Sequence, residues 1–168
     1  MRLRNVPKAK EILDNSNYII HNYLEMTGNF HSVFSNDNPI YLEIGTGKGN
    51  FIIENAKRYP NINFIGLELD VNQTATAVKN TSGMKLDNLK MICADANNII
   101  DYFGKEIDTI YLTFSEPWPK KQDEKKRFTS INYLKLYDRI FKKNKHIILK
   151  TDNKILFQSG LESLSNYW

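Results

Sequence analysis

From residue 39 onward the chain alternates short apolar runs with longer segments of helical period, an order that restricts it to a parallel sheet covered by helices. PIYLEIG reads as the first strand. KGNFIIENAKRYP follows as a helix, with Phe51, Ile52, Ile53 and Ala56 spaced to pack on the sheet and Pro60 just past its end. INFIGLE is the second strand, a helix runs from Asp70 to Thr81 with a Ser-Gly exit, and LKMICA is the third strand. IDTIYLTF is the fourth, a helix spans Thr129 to Lys143, HIILKTD is the fifth, and an amphipathic segment covers Asn153 to Leu164. Residues 8 to 26 read as a helical arm with a basic entry, so 1–38 forms a basic N-terminal arm and 39–168 an α/β core. A length of 168 residues suits one domain and leaves little room for a second.

Hydrophobic content of 41% and charged content of 25% are those of a soluble globular chain. No run of about 18 apolar residues is present to span a membrane, and MRLRNVPKAK has basic residues without the apolar core of a secretory signal. The single Cys93, in the apolar run MICA, reads as a buried small hydrophobe and has no partner for a disulfide, which fits a cytoplasmic location. The histidines lack metal-ligand spacing, so no metal is expected. The net charge of +4 is modest, but the positive residues cluster at Arg2, Arg4, Lys8 and Lys10, at Lys120 to Arg127, and at Lys142 to Lys150. Such patches are either solvated faces or the footprint of a phosphate backbone.

Glu43-Ile-Gly45-Thr-Gly47-Lys-Gly49 closes the first strand and opens a helix, so its glycines allow a tight turn and close approach of a ligand to the backbone. A phosphate loop of the form G-x-x-x-x-G-K-S/T needs a hydroxyl after the lysine, and Lys48 is followed by Gly49. A dinucleotide turn wants its third glycine one residue later, and a carboxylate at Glu43 repels a pyrophosphate. That carboxylate suits a ligand with a cationic end, as S-adenosylmethionine has in its amino group and sulfonium. Glu68, closing the second strand, is placed to accept from both ribose hydroxyls, and Asp95, after the third, to accept from an adenine amino group or fix the loop that does. Singly, Glu43 could serve a helix dipole, Glu68 solvent and Asp95 an N-cap. Together with the glycine spacing, the carboxylates point to S-adenosylmethionine.

The polar loop SEPWPKKQDEKKR leaves the fourth strand, which in such a sheet adjoins the first, so it is placed to hold a methyl acceptor. Trp118, between Pro117 and Pro119, either stacks on a base or packs the loop down. LEIGTGKGNF, IGLELD, SEPWPKK followed by KKR, and LKTDN resemble, in order and with fitting spacing, the tRNA (guanine-N7)-methyltransferase family. The resemblance implies a Rossmann-like class I methyltransferase fold, a mostly parallel sheet with helices on both faces. Glu43, Gly45, Gly47, Gly49, Glu68, Asp95 and Glu116 would form the S-adenosylmethionine site. Lys120 and Asp152 would face the substrate, with Glu116 and Asp152 serving the chemistry. Lys121, Lys125, Lys126 and Arg127 would lie against tRNA, the methylated guanine being that of its variable loop. The family usually has Asp where Glu116 stands, and often Asn and Arg where Thr113 and Gln122 stand. It also continues beyond the position of Trp168 with a substrate-binding segment and the last strands of the sheet, so those strands are expected to be absent.

Guanine N7 carries an in-plane lone pair, so methyl transfer needs no proton removed, only placement and charge. Glu116 and Asp152 suit the N1–H and N2–H donors of the base, and Lys120 its O6 or a phosphate. Two other readings stay open: a methyltransferase acting on an exocyclic amine or a protein side chain, and a non-catalytic or incomplete RNA-binding form. Either a monomer or a homodimer is compatible with the sequence.

Overall fold

The computed structural model describes residues 5–168, so Arg2 and Arg4 of the basic entry lie outside the described residues. Five strands form one parallel sheet: β1 (Ile40–Ile44), β2 (Asn63–Glu68), β3 (Leu89–Cys93), β4 (Thr109–Thr113) and β5 (Ile147–Lys150), in the order β3-β2-β1-β4-β5. Between β1 and β4 the direction of winding reverses, and ligands of open α/β sheets bind beyond the carboxyl ends of the strands at such a point.

Alternation along the strands divides the core. Leu42, Ile44, Ile65, Leu67, Ile110 and Leu112 face one way, packing with α5 (Ile99–Tyr102) and α6 (Ile131–Asp138), as well as with Phe30 and Phe34, the latter in α2 (His31–Phe34). Phe64 and Leu89 face the other way, with Tyr41 and Tyr111 beside them, and meet Ile52, Ile53 and Ala56 of α3 (Asn50–Arg58). Asp70 caps α4 (Val71–Asn80) by accepting from the Gln73 N–H at 2.8 Å, and Asn153 caps α7 (Lys154–Tyr167) by accepting from the Leu156 N–H at 2.9 Å.

The expected helix over 8–26 is replaced by a short α1 (Ala9–Asp14) and a segment that joins the sheet. The Met91 N–H donates to the Tyr18 carbonyl at 2.7 Å and the Ile20 N–H to the Met91 carbonyl at 2.9 Å, covering the outer side of β3. Asn15, Ser16 and Asn17 favour turns over helix interior, and the Ser16 hydroxyl accepts from the Tyr18 N–H at 3.1 Å. Ile20, Phe30 and Phe34 are buried in the main core, so this stretch packs into the body. Similarly, α6 ends at Asp138 rather than near Lys143, because the Ile140 carbonyl accepts from the Glu106 and Ile107 N–H groups and the Lys142 N–H donates to Ile107. Cys93 is half-buried, its thiol 3.6 Å from the Leu69 carbonyl, a correction to the fully buried position expected of it.

One buried carboxyl group ties the N-terminal segment to the segment entering β4. Glu106 accepts from the N–H groups of Gly28 at 2.7 Å, Phe30 at 2.9 Å and Gly104 at 2.9 Å. Replacement by Ala strands donors at a buried site, so Glu106→Ala is expected to lower stability by about 3 kcal/mol, read as a shift in the urea midpoint at unchanged m-value.

Candidate active site

Beyond the carboxyl ends of β1, β2 and β3 lies a cleft of about 420 Å³, a size that suits a small-molecule ligand. Gly45, Glu68 and Asp95 line its sheet side, and Glu116, Trp118, Lys125 and Lys126 its loop side, with Leu69, Asn97, Phe128 and Tyr133 between.

The glycine turn is shaped by demands that differ between its members. Gly47 has φ 55° with open space where a Cβ would project, and its N–H donates to the Glu68 carboxylate at 2.8 Å. Gly49, at φ 79°, would place a Cβ 2.8 Å from that of Ala77, so its glycine serves the approach of α3 to α4. Glu68 also accepts from the Asp70 N–H at 3.1 Å, which fixes the carboxylate at the cleft wall with lone pairs to spare. Asp95 caps the short turn over Ala96–Asn98, accepting from the Asn97 N–H at 2.9 Å while lining the cleft.

Glu43 is 2% exposed and sits on the α3 side of β1, beneath the turn, and is not among the residues lining the cleft. Its Oε1 accepts from the Thr113 hydroxyl at 2.5 Å, whereas its Oε2 is buried with no partner. Burial pushes its pKa up to about 8, with the charge of Glu68 adding to the rise and the Thr113 hydrogen bond opposing it. That oxygen retains hydrogen-bonding capacity that the neighbouring side chains do not use.

The loop after β4 departs most from expectation. Arg127, placed against RNA by sequence reasoning, is 5% exposed: its Nε donates to the Pro117 carbonyl at 2.9 Å and its Nη2 to the Trp118 carbonyl at 2.9 Å. Those carbonyls face inward and need donors, so the guanidinium holds the loop's shape and is withdrawn from the surface. Trp118 is half-buried on the cleft in a left-handed conformation, φ 44°, and the Lys126 ammonium lies 4.6 Å from its ring centre. Lys126 also pairs with Asp123 at 2.8 Å, within the helical turn Lys121–Lys126. Lys120, Lys121 and Lys125 are exposed. Asp152 is exposed beyond β5 and outside the cleft lining, but Thr113 of β4 lies opposite Lys150 of β5, so the segments carrying Glu116 and Asp152 leave the sheet side by side.

Asn97, Phe128 and Tyr133 escaped sequence reasoning. The Tyr133 hydroxyl donates to Asn97 Oδ1 at 2.8 Å, and the Phe128 and Tyr133 rings meet edge to face at 5.1 Å. No spacing could signal a pair joined only when α6 folds back beside the end of β3.

An acid whose folded-state pKa is raised holds a proton that the unfolded chain has already released, so stability falls as pH climbs from about 4.5 to about 8 and levels off above. Glu43→Gln is expected to remove that slope, up to on the order of 1 kcal/mol per pH unit, and to stabilise the ligand-free protein at pH 8. Urea unfolding of both proteins at pH 5.5 and pH 8 measures it.

Comparison with known proteins agrees with this geometry. A family described as putative methyltransferase matches residues 37–167. The tRNA (guanine-N(7)-)-methyltransferase of Geobacillus thermodenitrificans is 46% identical over 99% of this chain and 78% of its own length. The protein of the same name from Bacillus subtilis is 43% identical over 99% of this chain and 79% of its own length. Among solved structures, an antibiotic-related methyltransferase superposes with TM-score 0.64 at 20% identity, over 82% of this chain and 72% of its own. Precorrin-6y C5,15-methyltransferase from Geobacter metallireducens superposes with TM-score 0.60 at 18% identity, over 81% and 68%. At those identities the structural likeness speaks for the fold, Rossmann-like and shared with methyltransferases. The sequence relatives go further: the chain belongs to the tRNA (guanine-N7)-methyltransferase family.

Proposed function

We infer that this chain transfers a methyl group from S-adenosylmethionine to N7 of a guanine in tRNA. The observation that carries the reading is identity above 40% along nearly the whole chain to proteins named for that reaction. The site supports it through a cleft of ligand size and a buried carboxyl oxygen with no partner.

S-adenosylmethionine supplies an electrophilic methyl on a sulfonium. Glu43 is suited to its amino group, because a cation beside the orphaned oxygen favours the ionised carboxylate and drives off the proton that burial retains. Glu68, held by two backbone N–H groups, presents spare lone pairs for ribose hydroxyls. Asp95, Leu69 and Phe128 line the same cleft with Gly45 and offer an acidic acceptor and apolar surface suited to the adenine. Gly47 leaves room for the ligand and Gly49 supports the turn by packing.

As the methyl moves from sulfur to N7, positive charge moves onto the purine and no proton is lost. Glu116 at the cleft and Asp152 on the adjacent segment are suited to accept from N1–H and N2–H, which fixes the base in line and stabilises the charge it gains. Lys120 suits O6 or a phosphate. Lys121 and Lys125, exposed on the same loop, suit the tRNA backbone, Lys126 contributing the charge that Asp123 and Trp118 leave free.

Incubation with S-adenosylmethionine and unmodified tRNA is expected to yield 7-methylguanosine on nucleoside mass spectrometry; its absence with the cofactor bound overturns the reading. Asp152→Ala is expected to lower kcat/KM for tRNA by about 10- to 100-fold, the worth of a charge-assisted hydrogen bond, with cofactor affinity unchanged in calorimetry. Replacing Lys120 and Lys121 together by Ala is expected to reduce the slope of log K for tRNA against log salt by about 1.5.

A further inference from the structure

The end of β4 carries a second aromatic residue that no reading so far employs. Phe114 is 60% exposed, at the carboxyl edge of the strand that borders the reversal of winding. Its backbone is left-handed, φ 49°, a conformation unfavourable to a side chain of that size, and it is pinned there by its N–H, which donates to the Lys150 carbonyl at 2.7 Å. The ring itself contributes little to the core. The neighbours orient it instead. The Lys150 ammonium lies 5.6 Å from the Phe114 ring centre and 6.0 Å from that of Phe51, bridging the end of β4 to the start of the helix behind the glycine turn. Phe51 is itself propped edge-on against Tyr111 at 5.0 Å. On either side of Phe114 in sequence, Thr113 holds Glu43, whose Oε2 is unpartnered, and Ser115 has a buried hydroxyl with no partner.

We propose that Phe114 is the stacking platform for the acceptor guanine, its exposed ring covered when the base enters at the carboxyl end of β4. Trp118, the other aromatic of this loop, is the weaker platform, because its ring is half-buried along the cleft and already carries Lys126. A strained backbone that presents an apolar ring to solvent is explained when a π-face is offered to each incoming base, and base–aromatic stacking is tolerant of everything except loss of the ring. Lys150, by contacting both rings, ties the platform to the start of α3 at the carboxyl end of β4, outside the residues that line the cleft.

The proposal rests on the guanine-methylating reading, and the experiment separates the two. Wild type, Phe114→Leu and Phe114→Tyr are assayed for 7-methylguanosine formation on unmodified tRNA, with S-adenosylmethionine affinity measured by calorimetry. No product from wild type defeats the functional reading itself. With wild type active, Phe114→Leu is expected to lower kcat/KM for tRNA by roughly 5- to 150-fold, at unchanged cofactor affinity, and Phe114→Tyr to stay near wild type. Wild-type kcat/KM in Phe114→Leu, or equal losses in both variants, overturns the platform. A further check is Phe114→Trp, in which tRNA is expected to quench fluorescence beyond the quenching seen in wild type; equal quenching counts against stacking.

Discussion

The parallel pairing of β1 with β4 is the constraint on which the site depends. Glu43 opposite Tyr111 and Ile44 opposite Leu112 set the two strands in register, so Thr113 falls where its hydroxyl can donate to Glu43. A slip of one residue would turn Thr113 to the opposite face and leave both carboxyl oxygens of Glu43 buried without a donor. The same pairing sends the glycine turn and the SEPWP loop out from neighbouring strands. Pairing of β1 with β2 then brings Glu68 under the turn, where it accepts from Gly47 and Asp70 together. The functional edge is thus a by-product of sheet register, with turn, cleft wall and loop positioned by one set of backbone hydrogen bonds.

Much of this was legible in the chain because the strands advertise themselves. Apolar runs such as YLEI and NFIGLE, broken by glycine turns and capped helices, mark strand ends to within a residue or two, and the carboxylates expected at those ends are found there. What was not legible depends on contacts between distant parts. Periodicity favours a long helix after residue 8, but the Tyr18–Ile20 segment gains more from pairing with β3 and burying Ile20 than a helix containing Asn15 and Asn17 could offer. A run of basic residues likewise hides the difference between Lys125, exposed at the cleft, and Arg127, buried under it. Only the folded loop, with carbonyls turned inward, distinguishes them.

Electrostatics at the site are asymmetric. Glu68 and Asp95 at the sheet edge have orientations set by fixed N–H donors, while the loop carries exposed lysines such as Lys120 and Lys121 interleaved with the acids Glu116, Asp123 and Glu124. Asp123 moderates the boundary by pairing with Lys126, the lysine set against the Trp118 ring.

Holding the loop by Arg127 from within separates conformation from surface charge. The exposed Lys120, Lys121 and Lys125 are thus free of the contacts by which Arg127 shapes the segment that displays them. Arg127 has no such latitude, since a lysine cannot reproduce a planar fork spanning two adjacent carbonyls. A substitution among the exposed side chains therefore leaves the strut beneath them in place, whereas one at Arg127 removes it.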